Sequence, residues 1–365
     1  MLFSSFEIYK YSIPIEPFTI ATGTMTYAQN IFVRAHTDAG IVGVGECSAF
    51  PMIVGETQAT CFAMAADFAE LWKGKNAIDI DARLQELDLY TAGNYTAKSA
   101  FDMVLFDIGA KAVGAPLYKF LGGFPRKITT DLTIGLDSPE VMAKKAADFV
   151  SRGIKIIKVK LGKDPQQDIE RVRRIRETVG PDIELRIDAN QGWSFEEALY
   201  ALMSMESFNI RFCEQPMRTW DDDRLPILSQ MSSIPIMADE SVYNYHDADR
   251  LISKKAISYI NIKFAKSGGI NGARKINSVA ERMGVPCMLG GMLESRLALT
   301  AKAHFATAHT NIEFFDLDTC LLGHLDDPVV GGVGFRGMDL HLSDAPGIGA
   351  DVDQSYLNRC AQLII

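Results

Sequence analysis

No two cysteines of the chain are spaced as CxxC, no segment approaches the ~18 uninterrupted apolar residues of a membrane span, and positive charge is in deficit. The six cysteines (Cys47, Cys61, Cys213, Cys287, Cys320, Cys360) sit mostly among apolar neighbours. They read as reduced, structural thiols of a cytoplasmic protein. Glu7 and Lys10 interrupt the first ten residues, so no secretory leader is expected there. A net charge of −9 and a pI near 5.3 argue against nucleic acid or an anionic membrane as partner, since both demand clustered basic residues. None of the six histidines falls at an expected strand end, which leaves them core or surface roles. The GGVG at 331–334 lacks the strand–turn–helix context of a nucleotide loop.

What is present is a chain of 365 residues with 47% apolar content, enough for one barrel of about 250 residues and an accessory domain. Residues 1–125 read as a small α+β capping domain. Period-two alternation over Leu2 to Arg34 and Gly40 to Glu46 predicts antiparallel strands, and helical periodicity follows from Thr57 to Leu87 and from Ala97 to Phe120. Two loops interrupt this domain: Phe18 to Tyr27, centred on Gly23, and Cys47 to Glu56, which carries Phe50, Ile53 and Val54; apolar loops of this length are either lids or poorly packed surface. Residues 126–320 alternate strand and helix. Strands are expected at Thr129–Ile134, Ile154–Leu161, Ile183–Asp188, Ile210–Glu214, Pro235–Ala238, Ile257–Ile262, Pro286–Leu289 and Asn311–Asp316. The fold class is therefore α/β, a modified TIM barrel of (β/α)7β type, with residues 321–365 returning to the cap.

The chemistry is written at the strand ends. Asp188, Glu214, Asp239 and Lys263 each end a strand, separated by 26, 25 and 24 residues, the length of one strand plus one helix. Their side chains converge on one rim. Any single carboxylate there could be capping the next helix. Three in register, with no histidine among them, are hard oxygen donors suited to Mg2+ or Mn2+. Lys158 and Lys160 lie two apart on a strand and face the same way. Lys263 should enter the cavity from the opposite side, and a lysine crowded by a second lysine and a divalent cation should have a lowered pKa. Removing the proton α to a carboxylate requires strong fixed positive charge beside the developing enediolate, here the metal ion aided by Lys158. With Lys160 and Lys263 on opposite faces, one removing the proton and the other returning it, the reaction inverts a carbon centre. Asp316 and Asp318, taken as alternating on the last strand, suit a substrate ammonium group.

The motifs KVK at 158–160, DAN at 188–190, EQP at 214–216, ADES at 238–241, NIKFAKSGG at 261–269 and PLYKFLGG at 116–123 resemble the muconate-lactonizing subgroup of the enolase superfamily, for which lysine base plus Mg2+ is an established pairing. The pair at 316 and 318 is similar to that of its dipeptide epimerases. The resemblance implies one Mg2+ per subunit, held by Asp188, Glu214 and Asp239. It also implies a small dipeptide substrate touched by Thr133, Asn190 and Gly291-Met292-Leu293, and a symmetric homo-oligomer. Members acting on Ala-Glu dipeptides place an arginine between the first two strands, where this chain has Gly23 and no other cation between Pro17 and Arg34. A buried γ-carboxylate lacking a cation carries a desolvation cost of several kcal/mol, so small or aliphatic dipeptides such as Ala-Ala are expected, with Phe50 and Ile53 of the lid against them. Two alternatives keep the scaffold and change the reaction: o-succinylbenzoate synthesis and muconate-type cycloisomerisation. Neither needs an ammonium-binding pair.

Overall fold

A computed structural model describes all residues, 1–365. Strands β1 (Phe3–Ile20), β2 (Gly23–Thr37) and β3 (Val42–Ser48) run antiparallel in one sheet. On β1, Tyr11, Ile13 and Ile15 are buried while Ser12 and Pro14 between them are half-exposed, the alternation of a sheet covered on one face. The expected loop from Phe18 to Tyr27 is instead the tip of the β1–β2 hairpin, paired Phe18 with Met25 and Ile20 with Gly23. The second expected loop also differs, because β3 continues to Ser48 and Pro51–Val54 coils into one helical turn. Helices Gln58–Trp72 and Ile80–Tyr90 replace the single long run; the chain breaks between them at Gly74, whose φ of +75° favours glycine. Helix Tyr95–Ala112 packs on β3 at glycine-only distance: a Cβ at Gly45 would stand 2.0 Å from the Ala100 carbonyl oxygen. We expect Gly45→Ala to cost about 1–3 kcal/mol in urea unfolding through this overlap.

The remaining strands are β4 (Ile128–Thr129), β5 (Leu132–Ile134), β6 (Ile156–Lys160), β7 (Glu184–Asp188), β8 (Ile210–Glu214), β9 (Ile236–Ala238), β10 (Tyr259–Ile262), β11 (Cys287–Gly290), β12 (Ile312–Asp316) and five short strands of the tail. Strands β5 to β12 form one parallel sheet in chain order. Its ends meet: Asp131 N donates to Phe315 O at 3.2 Å and Leu317 N to Thr130 Oγ1 at 2.7 Å. This is the expected barrel, with a correction at its start. Thr129–Ile134 is not one strand, since β4 leaves the barrel to pair with the tail. Asp318 is likewise outside β12; its φ of −102° and ψ of 0° lead into the turn Thr319–Leu321.

Seven helices follow the strands: Pro139–Ser151, Pro165–Val179, Phe195–Ser204, Leu225–Met231, Tyr245–Ser253, Ile270–Arg282 and Arg296–Ala308. The helix at Leu225, only seven residues long and entered through the 3-10 turn Thr219–Arg224, is too short to announce itself by periodicity. Phe212, Met237, Met288 and Phe314 fill the barrel floor as a separate apolar cluster. With the floor sealed, a ligand can enter only from the opposite rim.

Strands β13 (Val329–Gly331), β14 (Gly334–Arg336), β15 (Asp339–His341), β16 (Ala350–Val352) and β17 (Gln362–Ile364) complete the chain. Strand β15 pairs with β4, and β17 adds an edge to β1. The first sheet grips the barrel through Glu46, buried on β3. Its carboxylate accepts from Asn30 Nδ2 (2.7 Å), Ser295 N (2.8 Å), Ser295 Oγ (2.6 Å) and Ala298 N (3.1 Å). No helix is long and apolar enough to cross a membrane.

Candidate active site

Parallel strands deliver their carboxyl ends to one rim, so residue parity on each strand decides what points inward. On β6 the odd residues Ile157 and Val159 pack outward into the core, and Lys158 and Lys160 turn into the barrel. The Lys158 ammonium is buried among three acids: Asp316 Oδ2 and Glu214 Oε2 at 2.8 Å and Asp188 Oδ2 at 3.2 Å. Lys160 Nζ lies nearer the rim, 2.6 Å from Asp188 Oδ2. After β7 the chain turns through Asn190 and Gln191, both at positive φ, and Asp188 Oδ1 accepts from Asn190 N at 2.9 Å. Gly192 permits the turn, since a Cβ there would stand 1.9 Å from the Gly162 carbonyl oxygen of the loop after β6.

Strands β6 and β10 are four apart in a ring of eight, hence opposite each other. Lys263, directly after β10, therefore faces Lys160 across the cavity, and its ammonium lies 2.9 Å from Asp239 Oδ2. Asp188, Glu214 and Asp239, on β7, β8 and just after β9, fill the arc between the lysines. Lys266, fully buried, meets Asp239 Oδ1 at 2.6 Å and donates to the carbonyls of Val242 (3.1 Å) and Asn261 (3.2 Å). Asn261 Nδ2 donates to Glu214 Oε1 at 2.7 Å. Gln215 Oε1 accepts from the amides of Asp239 (2.9 Å) and Ser241 (3.1 Å), fixing the loop that carries Asp239.

Burial pushes the carboxyl of Glu214 up to about 7, helped by Asp188. For Lys263 burial pulls down, yet the carboxylates of Asp239 and Glu214 prevail and hold it above the usual lysine range. Lys158 is raised for the same reason, burial being outweighed by Asp316, Glu214 and Asp188.

A small cavity opens at this rim. Its polar wall includes Lys160, Lys263, Asn190, Thr133, Asp316 and Asp318, all anticipated from the sequence. Gly291, Met292 and Leu293 also line it; Met292 N donates to Glu294 Oε2 at 2.6 Å, and Glu294 is paired with buried Lys302. Phe50 and Ile53 close the cavity from the first domain, where Tyr243 Oη donates to Ile53 O at 2.9 Å and pins the helical turn over the rim. Lys158 lies beneath the wall, and Gly23 is outside it: a Cβ at Gly23 would stand 2.6 Å from Met52 Sδ of the lid.

Phe18, Ile20, Thr319 and Leu322 line the cavity as well, unforeseen because the hairpin tip was read as a loop and the turn after β12 has no periodicity. Lys266 was also missed, though NIKFAKSGG shows a second lysine one helical turn after Lys263. Asp318 reaches the wall from a turn, its Oδ2 accepting from Thr133 N at 2.7 Å. Lys158 joins Asp316 to Asp188 and Glu214, so these acids form one continuous ionic network.

An antiparallel sheet capping a (β/α)7β barrel, with acids and lysines at the barrel's carboxyl rim, defines the two-domain fold of the enolase superfamily. The chain belongs to its mandelate racemase/muconate lactonizing enzyme family. Residues 5–122 match the mandelate racemase/muconate lactonizing enzyme N-terminal domain, and residues 141–356 the enolase C-terminal domain-like model. It is 42% identical to the D-Ala-D/L-Ala epimerase of Cytophaga hutchinsonii, with 100% of both chains covered. To the L-Ala-D/L-Glu epimerase of Clostridium acetobutylicum it is 39% identical, covering 96% of this chain and 99% of that one. A crystal structure of a dipeptide epimerase from Cytophaga hutchinsonii, complexed with Mg and the dipeptide D-Ala-L-Val, superposes with a TM-score of 0.98 at 41% identity, covering 100% of both chains.

Proposed function

We propose that this protein is a Mg2+-dependent epimerase of dipeptides with small or apolar side chains, inverting the α-carbon of the C-terminal residue. One observation carries the reading: two lysines on opposite strands of the barrel face one cavity whose far wall holds two acids. Asp188, Glu214 and Asp239 suit a divalent cation. Glu214 Oε2 and both Asp239 oxygens are buried without a hydrogen bond of good geometry, and only ammonium charge meets them, at 2.6–2.9 Å. These three would hold Mg2+, and when bound it supplies fixed positive charge for the substrate carboxylate.

The protein's own groups do the rest. Lys160 or Lys263 takes the α-proton from one face, and the other lysine gives one to the opposite face. Lys158 holds Asp188, Glu214 and Asp316 in place from below. Asp316 and Asp318 receive the substrate's N-terminal ammonium and so set which way the dipeptide lies. Residues 1–125 cap this site through the lid and hairpin tip, residues 126–320 carry the chemistry, and residues 321–365 tie back to the cap. Elimination and cycloisomerisation on the same scaffold leave the two acids without a task.

Phe18, Ile20, Phe50, Ile53 and Leu322 present only apolar surface to the substrate side chains, and no cation accompanies them at Gly23. We expect kcat/KM for Ala-Ala or Ala-Val to exceed that for Ala-Glu by at least about tenfold, the cost of stranding one carboxylate. Comparable or better turnover of Ala-Glu in a dipeptide panel contradicts this assignment.

A further inference from the structure

The turn Pro51–Val54 that covers the cavity is four residues long, too short to be stable through its own hydrogen bonds. The last carbonyls of a helix have no partner within it, and here the Ile53 carbonyl accepts from Tyr243 Oη at 2.9 Å. No other hydrogen bond joins residues 49–55 to the barrel. The donor stands on a firm base, the loop after β9 that carries Asp239. Lys266 meets Asp239 Oδ1 at 2.6 Å and donates to Val242 O at 3.1 Å, and Tyr243 N donates to Asp247 Oδ2 at 3.0 Å. The Tyr243 ring packs beside that of Tyr95, their centroids 6.0 Å apart. Burial, with the carboxylates of Asp239 and Glu240 near, holds the phenol above the usual tyrosine range, so it stays a donor. A weak element is thus fastened to a rigid one at a single point.

We propose that the Tyr243 hydroxyl latches the lid shut and so sets how strongly the site prefers small dipeptides to large ones. Tyr243 does not line the cavity, so it acts through the lid as a positioning residue. This rests on the dipeptide reading above and deepens it. Phe50 and Ile53 cover a small cavity, so a dipeptide with bulky side chains fits only after the turn has lifted and the hydrogen bond has broken. A small dipeptide binds beneath the closed lid. With K as the closed-to-open ratio of the lid, the apparent dissociation constant of the small ligand scales as 1 + 1/K and that of the large ligand as 1 + K. Their quotient, large over small, is proportional to K itself, whatever the resting position of the lid. Loss of one hydrogen bond of ordinary net strength lowers K about three- to tenfold.

The test is Tyr243→Phe, which keeps the ring against Tyr95 and deletes only the hydroxyl. KM is measured for Ala-Ala, and Leu-Phe is titrated as a competitive inhibitor of Ala-Ala epimerisation. The quotient of the Leu-Phe inhibition constant to the Ala-Ala KM should fall about three- to tenfold in the variant, with kcat for Ala-Ala within about twofold of wild type. A general loosening of the fold would weaken both ligands alike and leave the quotient unchanged, and that result overturns the proposal. Hydrogen–deuterium exchange of the substrate-free protein is the second arm. The amides of Val54 and Gly55, bonded to Phe50 O at 2.9 Å and Pro51 O at 3.1 Å, should exchange faster in Tyr243→Phe, while helix Tyr95–Ala112 exchanges as in wild type. Equal lid exchange in the two proteins overturns the latch. Because this arm needs no substrate, a wild type that turns over no dipeptide contradicts the dipeptide reading while the exchange of the lid still decides the latch.

Discussion

Lys160→Ala and Lys263→Ala are each expected to lower kcat for dipeptide epimerisation by about 10³–10⁴-fold while leaving the protein folded. General acid–base groups contribute about 10²–10⁴-fold each, and the proposed inversion uses both lysines in every turnover, so neither loss is buffered by the other. The fold should survive because neither deletion strands the acid it contacts. Asp188 keeps Lys158 at 3.2 Å when Lys160 is removed, and Asp239 keeps Lys266 at 2.6 Å when Lys263 is removed. Thermal unfolding checks this alongside the rates. A variant losing less than tenfold in kcat would remove that lysine from the chemistry.

The second large effect concerns the acids between the lysines. Glu214→Gln is expected to weaken Mg2+ binding by at least about a hundredfold, read directly by calorimetric titration, and to lower activity at fixed Mg2+ in parallel. The carboxyl of Glu214 sits at about 7 through burial and Asp188, so protons compete for the same oxygens. Mg2+ affinity should therefore fall as pH drops through 7, since the protonated form of Glu214 is a poorer donor. Calorimetry at pH 6 and pH 8 separates the two: wild type should bind more tightly at the higher pH, and Glu214→Gln should lose most of that difference. An unchanged affinity in the variant would show that Glu214 does not hold the ion.

Much of this arrangement was legible in the sequence because parallel β-structure is geometrically strict. Alternation put Lys158 and Lys160 on the inner face of β6, and the regular interval from Asp188 to Lys263 gave their common rim. What parity does not govern was lost. The hairpin tip from Phe18 to Met25 looked like a loop because its strands end on threonines, alanine and glycine instead of a repeating apolar face. Lys266 went unnoticed because its ammonium is satisfied partly by backbone carbonyls, which sequence does not display. Asp318 was placed in the right wall by the wrong reasoning: it follows the strand end and arrives through a turn.

The proposed inversion requires two proton-transfer groups acting on opposite faces of one carbon, and α-deuterium uptake in D2O tests that directly. With Mg2+ present, each lysine variant is given the two diastereomers of the same dipeptide separately. The proposed mechanism predicts complementary results: Lys160→Ala exchanges the α-proton of one diastereomer only, and Lys263→Ala exchanges that of the other only, with no interconversion in either case. Exchange of both diastereomers by one variant, or of neither by both, would contradict it.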